Sequence, residues 1–388
     1  MSTDASLTFR AAHTYTRSSP SQVADPNVRE LTSFAARGLV SMFDADRHLF
    51  CHRLVRTERG LVREGLSPRY TLMTLLGLRE LELAGEHSPF DTQAIYNSVV
   101  RDTGWIRCAG DLGLLVWLTA AFAPDQLRGR FRRIDLETAL DRYPDAREGR
   151  TTELAWFLAG LAHAALAAPG MIPDLTDPAV ETYHRLEENH GESGLFGHMS
   201  TSKSVAGFLR GRIGNFADQI YPIYALANFA TAFHVEEPLG SALKCAAALC
   251  RAQGELGQWW WLYGSRTARV LSRYPVYSVH QQGMAPMSLF ALQAATGQSF
   301  TDCIYKGLRW IYGANELCTD LRDLSQHLIW RCILSKRKQT KYFETALSLL
   351  RSPKETAPPG ALTILFEDRP YELGWLLYAF AKHGIAAS

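Results

Sequence analysis

The sequence lacks the motifs that would assign it directly to a well-known enzyme class. No GxxxxGK[ST], GxGxxG or GxSxG element stands in a suitable context, and HExxH does not occur. These absences argue against a phosphate-binding loop, a dinucleotide site, a serine-hydrolase elbow and a zincin. The spacing of cysteine and histidine is not typical of a zinc site either, so we expect neither a metal nor a cofactor.

Cysteine is scarce and is not arranged in pairs. The chain of 388 residues has seven cysteines and no CxxC, at positions 51, 108, 245, 250, 303, 318 and 332. An odd, scattered set favours buried, reduced thiols over a disulfide framework. This pattern predicts a cytoplasmic protein.

Excess charge and long apolar runs are also missing. A net charge of +2 gives no electrostatic reason to expect a nucleic-acid partner. Uninterrupted apolar runs stay shorter than the roughly 18 residues of a membrane span, so no span is predicted. Residues 1–25 are polar, without the apolar segment of a secretory signal, and predict a flexible tail before a single domain over 26–388. The oligomeric state stays open.

What the sequence does contain is a long series of helical segments that alternate between two classes. Amphipathic segments are predicted at Val28–Phe43, Asp91–Asp102, Ile134–Arg142, Val180–Asn189, Pro238–Ala252, Phe300–Gly313 and Tyr342–Arg351. Segments that are apolar nearly all round are predicted at Arg69–Ala84, Asp111–Ala123, Glu153–Ala167, Asp218–Phe233, Gln282–Thr296, Asp323–Leu334 and Glu372–Lys382. Strand-like alternation is short and confined to loops, as in Leu49–Val62 and Arg269–Val279.

This alternation predicts an all-α fold with a closed double ring. A helix that is apolar on every side is buried, whereas an amphipathic helix covers it from the solvent side. Their repetition every 40 to 65 residues indicates an α/α toroid (barrel) of six or seven helical hairpins, with short β-like loop excursions.

The starts of the predicted inner helices carry most of the candidate chemistry. Several share an acid, a leucine and a small residue, as in DLGL, ELAW, DLSQ and ELGW. Because parallel inner helices begin at one end of the ring, we expect these acids in one mouth with an arginine, a tyrosine and glutamines. The candidate catalytic residues are Glu153, Asp218, His280, Tyr277, Asp323 and Glu372, with Arg69, Tyr70, Asp111, Gln281 and Gln282 as substrate-binding residues. Each acid also has an alternative role as an ordinary helix cap.

The segment Gln253–Met287 is unusually aromatic and basic. It contains Trp259, Trp260, Trp261, Tyr263 and Tyr277 together with several arginines and His280. Aromatic rings beside cationic side chains are typical of sites that bind flat or polyhydroxylated ligands. We therefore add Trp259, Trp260, Tyr263 and Arg273 to the substrate-binding candidates, although the tryptophans are also candidates for a structural plug. His198 in GLFGHMS is a weaker candidate.

These features resemble the α/α-toroid proteins, which include six-hairpin glycosidases, polysaccharide lyases, sugar epimerases and the terpenoid cyclase and prenyltransferase group. Gln253, Gly257 and Trp259 match the QxxxGxW element of terpene cyclases, which ties outer helices together in that family. The DxDD motif of class II cyclases is absent, as are recognisable prenyltransferase zinc ligands. The Tyr277-x-x-His280 pair looks similar to the mouth of glucuronyl C5-epimerases.

We therefore expect a carbohydrate-active enzyme (a lyase, epimerase or hydrolase) that acts on a sugar or uronate-containing glycan or precursor by carboxylate, histidine and tyrosine acid–base chemistry. The alternatives are a terpenoid cyclase-like enzyme without DxDD and a non-catalytic toroid that binds glycan or protein.

Overall fold

The computed structural model describes residues 25–131, 138–143, 148–200, 210–336 and 358–383. Their helices are α1 Val28–Val40, α2 Pro68–Leu83, α3 Thr92–Arg101, α4 Ala109–Phe122, α5 Leu127–Phe131, α6 Ala139–Arg142, α7 Thr151–Ala167, α8 Ile172–Glu187, α9 Ala217–Phe233, α10 Glu237–Ala252, α11 Ala285–Thr296, α12 Thr301–Ile311 and α13 Pro370–Phe380. A π-helical turn, His280–Met284, leads into α11.

The strands are short and lie between helices. They are β1 Phe43–Asp44, β2 Leu49–Thr57, β3 Gly60–Leu66, β4 Ile213–Asn215, β5 Leu262–Gly264, β6 Val270–Ser272, β7 Val276–Tyr277, β8 Arg322–Asp323, β9 Leu328–Ile329, β10 Cys332–Ser335, β11 Leu362–Leu365 and β12 Glu367–Asp368. They pair antiparallel in four small sheets, β3-β2-β1 with β12 on β2, β11-β10-β7, β4-β5-β6 and β8-β9. The predicted β-like loop excursions are confirmed.

Six apolar helices form the inner ring. In order, α2, α4, α7, α9, α11 with its π-helical turn, and α13 each pack against the next, and α13 packs against α2 to close the circle. The described ring therefore has six inner members, which decides between the six and seven hairpins left open above. The predicted α/α toroid is confirmed.

Glycines allow the inner backbones to touch. A Cβ at Gly160 of α7 would lie 2.2 Å from the carbonyl oxygen of Gly113 in α4, and a Cβ at Gly77 of α2 would lie 2.0 Å from that of Gly374 in α13. No side chain fits at such a separation. These are the small residues near the helix starts that the sequence repeat picked out, together with their partners.

The outer helices cover the seams between inner neighbours. Helix α3 packs on α2 and α4, α8 on α7 and α9, and α10 on α9 and α11. The QxxxGxW element links α10 to α12, because Gln253 Nε2 donates to the Cys303 carbonyl at 2.9 Å and a Cβ at Gly257 would meet the Lys306 carbonyl oxygen at 2.1 Å. The resemblance had implied this tie between outer helices.

The predicted inner helix Asp323–Leu334 is wrong. Its residues form β8, β9 and β10, and His327 has a positive φ of 57°, which breaks any helix there. A short apolar run fits a buried strand and a buried helix equally well by local pattern. The pairing of β10 with the distant strands β7 and β11 decides the outcome.

Three further predictions fall partly or wholly on residues that the structure does not describe. The outer helix predicted at Ile134–Arg142 is described only as α6, and the one at Tyr342–Arg351 lies outside the described residues. The predicted tail over residues 1–25 also lies outside them, except for Asp25. The predicted segment Val180–Asn189 is the second half of the longer helix α8.

Aromatic side chains fill the axis of the ring below the starts of the helices. Trp117 stacks on His163 with ring centroids 4.5 Å apart, and also contacts Tyr224, Trp375 and Tyr378. The Tyr224 hydroxyl lies 2.7 Å from His163 Nε2 and 2.6 Å from the Tyr378 hydroxyl. This axial plug, made of these five residues, joins α4, α7, α9 and α13.

Across the described residues, a membrane-spanning length of apolar sequence is not reached by any one helix. The segments Thr151–Ala167 and Pro169–Glu187 reach it only as a pair, and the chain bends by 120° between them.

The glycine contacts predict a large difference between two Gly→Ala substitutions in helices. Gly160→Ala forces a methyl group into the α4 backbone and should lower the free energy of unfolding by about 3 kcal/mol. Gly240→Ala in α10 meets nothing within 4 Å and should raise it by up to about 1 kcal/mol. Urea unfolding followed by circular dichroism measures both, and equal effects would contradict the close-contact model.

Candidate active site

The starts of the inner helices form a belt of polar and aromatic contacts, which we call the mouth. The belt passes from α2 to α4, α7 and α9, then through the π-helical turn and the β7–β10 pairing to α13, and back to α2. An acid in the first helical turn is favoured there by the free backbone N–H groups and the helix dipole. In this ring the same preference concentrates charge at one end of the molecule.

The contact between α2, α4 and α7 combines an ion pair with a thiol. Arg69 Nε lies 2.5 Å from Asp111 Oδ1, and Asp111 is buried. Cys108 donates its thiol hydrogen to Glu153 Oε2 at 2.8 Å, while Arg69 Nη2 lies 3.4 Å from the same sulfur. Burial and the Glu153 charge raise the pKa of Cys108, so the thiol remains protonated. Glu153 itself is half-buried.

The contact between α7 and α9 centres on Asp218, which is fully buried. Its carboxylate accepts hydrogen bonds from the Asn215 backbone N–H and the Thr152 hydroxyl, both at 2.9 Å, and lies 3.0 Å from His198 Nδ1. The hydrogen bond to Asp218 raises the pKa of His198, which keeps 30% of its side chain exposed. His198 Nε2 has no hydrogen-bond partner among the described residues. A buried carboxylate thus orients a reachable imidazole.

Aromatic rings surround the π-helical turn. His280 stacks on Phe216 with centroids 4.2 Å apart and is only 4% exposed. Burial lowers the pKa of His280 to about 3, so its imidazole is neutral. Tyr277 and Trp261, with centroids 5.4 Å apart, are half-buried and keep part of their surfaces open.

Arginines and carboxylates fill the sector around α13. Arg331 forms a close ion pair with Glu372, lies 3.6 Å from Glu367, and packs over the Tyr277 ring at 5.0 Å. Glu372 is fully buried, and burial raises its pKa to about 7. Burial, followed by the Glu372 charge, also raises the pKa of the neighbouring Asp368.

Arg369 closes the belt. Its Nε donates to Glu367 at 2.7 Å and its Nη1 to the Tyr70 hydroxyl at 2.9 Å. Tyr70 in turn contacts Tyr371, with ring centroids 4.6 Å apart, and both rings are half-buried. Arg69, Tyr70, Asp111, Glu153, Asp218, Tyr277 and Glu372 are therefore part of one belt, as the sequence repeat had suggested.

Three aromatic candidates lie in the core instead. Trp259 and Trp260 are 1% and 5% exposed, Tyr263 is fully buried, and the Tyr263 hydroxyl accepts from the Trp260 N–H at 2.8 Å. Their proposed role in stacking on a ligand is corrected, because no ring face is open. Arg273 packs over the Trp260 ring at 5.4 Å, so it lies beside this core tryptophan.

The two glutamines of the π-helical turn are fully buried. With its amide oriented to satisfy both contacts, Gln281 donates to the Gly257 carbonyl at 2.9 Å and accepts from the Trp259 N–H at 3.2 Å. It therefore holds the QxxxGxW element rather than a ligand. The Gln282 amide finds no partner among the described residues.

Asp323 does not start an inner helix. It lies in β8, where Arg56 Nη2 donates to its carboxylate at 2.7 Å. The second oxygen accepts from the Ser325 hydroxyl at 2.7 Å. Its assignment to a catalytic pair is therefore corrected, because it was based on a helix that does not form.

Of two further mouth residues, Arg331 was not predicted from the sequence and His198 was predicted only as a weaker candidate. Arg331 falls inside the wrongly predicted helix, so its approach to Glu372 had no local signal. His198 had one signal, its position in the loop before an inner helix, but its pairing with Asp218 comes from the fold. The described residues contain no group of three or more His, Cys, Asp or Glu side chains that could hold a metal ion.

Solved structures with this architecture are similar along nearly the whole chain. A possible member of the GH105 family from Klebsiella pneumoniae subsp. pneumoniae has a TM-score of 0.61 and 13% identity, covering 98% of this chain and 100% of that one. An unsaturated glucuronyl hydrolase specific for heparin has 0.56 and 14%, covering 93% and 98%. A sugar epimerase from a ruminal bacterium has 0.59 and 10%, covering 92% and 99%. Neither a protein-family model nor a curated protein matches the sequence.

The His198–Asp218 contact predicts a pH-dependent contribution to stability. Because folding raises the pKa of His198 above 6.5, the stabilisation is fully present below that pH and is lost as the pH rises through the folded-state value. Asp218→Asn should move the His198 titration to lower pH in NMR spectra and flatten this part of the stability curve. Identical His198 titrations in the two proteins would contradict the pairing.

Glu372 predicts a pH dependence in a lower range. Burial raises its pKa from 4.5 to about 7, so ionisation of this carboxyl group is less favourable in the folded protein than in the unfolded chain. The free energy of unfolding therefore falls as the pH rises through this window. In Glu372→Gln this loss should disappear, so the melting temperature of the variant relative to the wild type should be higher at pH 8 than at pH 5. Parallel melting curves at both pH values would show that Glu372 does not titrate there.

Proposed function

We propose that this protein is an enzyme that acts on a carbohydrate with an anionic, uronate-type sugar, by acid–base chemistry at the mouth. One observation carries the proposal: the reachable His198 imidazole is held by the buried Asp218, whose carboxylate also accepts from the hydroxyl of Thr152, the residue before the half-buried Glu153. Proton donor and acceptor then sit on neighbouring segments of one rigid ring.

The surroundings of the two groups support opposite roles for them. The hydrogen bond from His198 to Asp218 favours the imidazolium, so His198 is the acid. Glu153 accepts a thiol hydrogen and lies in the field of the Arg69 guanidinium, so it is the ionised base. Environments that push two titratable groups toward opposite charge states are typical of acid–base pairs.

The remaining mouth residues suit the binding of an anionic sugar. Trp261, Tyr277 and Tyr70 offer partly open aromatic surface for a sugar ring. Arg331 and Arg369 stand beside these rings and can pair with a carboxylate. The charged lining speaks against the terpenoid cyclase alternative, because a cyclase must shield carbocations from basic groups and water.

Two reactions are compatible with this pair. In hydrolysis, Glu153 takes a proton from the attacking water while His198 protonates the leaving oxygen. In epimerisation or elimination, Glu153 takes the proton α to the uronate carboxylate, and His198 protonates either the opposite face or the leaving group. Both hydrolases and an epimerase occur among the proteins of similar fold, which supports the substrate class without choosing the reaction.

The test is an assay of the full-length protein on an unsaturated glucuronyl disaccharide, a saturated uronate disaccharide and neutral cellobiose. Loss of the ultraviolet absorbance of the conjugated double bond, new reducing ends and deuterium uptake from heavy water distinguish the reactions. We expect turnover of a uronate substrate, with none of cellobiose. His198→Ala and Glu153→Gln should each lower kcat/KM by about 10²–10⁴-fold.

His87→Ala and Glu255→Gln, both at exposed outer positions, are the matched controls and should keep full activity. A loss of activity in the controls, or activity within threefold of the wild type in both mouth variants, would move the site elsewhere. Binding of the disaccharides without turnover by any protein would instead favour the non-catalytic toroid.

A further inference from the structure

Cys108 occupies an unusual position for a cysteine. It is the N-cap of inner helix α4, and its sulfur accepts the Asp111 backbone N–H at 3.4 Å. Serine, threonine, aspartate and asparagine are the residues that cap helices well, and a thiol is a weak acceptor. Capping alone therefore gives no reason for cysteine here.

The other contacts of this sulfur lie within the mouth. The thiol hydrogen points to Glu153 Oε2 at 2.8 Å, and the Arg69 guanidinium approaches the sulfur from the other side at 3.4 Å. The thiol thus bridges three inner helices, α2, α4 and α7. It is buried and remains protonated, so it acts as a hydrogen-bond donor and not as a nucleophile.

We propose that Cys108 is a positioning residue for Glu153, whose carboxylate its thiol hydrogen holds in place and stabilises as an anion at the mouth. This inference rests on the proposed function, in which Glu153 is the proton acceptor. It adds a residue that does not touch the substrate and acts through the carboxylate.

Several other charged groups lie on the segments around Glu153 and set the background against which the thiol acts. Arg69 of α2 attracts its charge, and Asp111 of α4 opposes it while pairing with Arg69. From α9, the Asp218–His198 pair is connected through the neighbouring Thr152. On its own helix, the N-cap Arg150 is paired with Glu148. None of these charges is removed when Cys108 is replaced, although Arg69 loses its contact with the sulfur.

The contact can be tested without any substrate. Glu153→Gln removes the charge that helps to raise the thiol pKa, so Cys108 should be alkylated by iodoacetamide at least about tenfold faster at pH 8. Peptide mass spectrometry separates Cys108 from the other six cysteines. Glu148→Gln is the matched control and should leave the rate unchanged. An unchanged rate in Glu153→Gln would overturn the proposal.

The pH dependence of kcat/KM on the uronate disaccharide tests the effect on catalysis. Cys108→Ala removes a donor to the ionised carboxylate, so the acidic limb should move to higher pH, whereas Cys108→Ser, which keeps a donor, should restore it. A purely structural role would lower the rate without moving the limb, and this result would overturn the proposal while the proposed function stands. If no sugar is turned over, the proposed function fails, and the alkylation rates still decide whether the thiol and the carboxylate are coupled.

Discussion

The architecture depends on how closely the inner helices approach one another. Where Gly160 meets Gly113, and Gly77 meets Gly374, backbone lies directly against backbone. Contacts of this kind fix the helices laterally and along their axes, because a one-residue slip would bring a side chain into the seam. Because the inner helices begin at the same height along the ring axis, the polar side chains of their first turns lie next to one another. The observed belt pairs the charges of the mouth, partly between neighbouring helices, as Arg69 with Asp111, and partly with loop residues, as Asp218 with His198.

The partners differ around the ring, and this difference gives the mouth its chemical asymmetry. Between α2 and α7, an arginine and a thiol stabilise negative charge on Glu153. Between α7 and α9, a buried carboxylate stabilises positive charge on His198. Around α13, Arg331 and Arg369 are balanced by three acids. Burial raises the pKa of two of them, Glu372 and Asp368, and so favours their protonated forms. Helix starts of similar sequence therefore lie in three different electrostatic environments.

Much of the fold was predictable because it is encoded locally. A helix that is apolar on all sides shows this in any window of its sequence, and five of the six inner helices begin within two residues of the predicted starts. The sixth, at α11, begins three residues after the predicted Gln282 because a π-helical turn precedes it. The failure at Asp323 has a different cause, since the strand pairing that replaces the predicted helix involves residues about 30 to 55 positions away.

The candidate site was only partly predictable for the same reason. Acids at helix starts are visible in the sequence, whereas the contacts that make Glu153 and Asp218 different from each other come from other segments. The three consecutive tryptophans gave no periodicity from which burial could be read, and tertiary packing placed Trp259 and Trp260 in the core while leaving Trp261 partly open. His198 gained importance only when the fold brought Asp218 behind it.

The axial plug blocks passage along the axis of the ring. Trp117 lies six residues beyond Asp111 on α4, so stacked rings obstruct the axis roughly 9 Å below the mouth. The plug closes the ring behind the mouth, so any molecule that enters there must leave through the same opening. A polymer cannot thread through this ring, so a long chain could be bound only across the mouth or by its end.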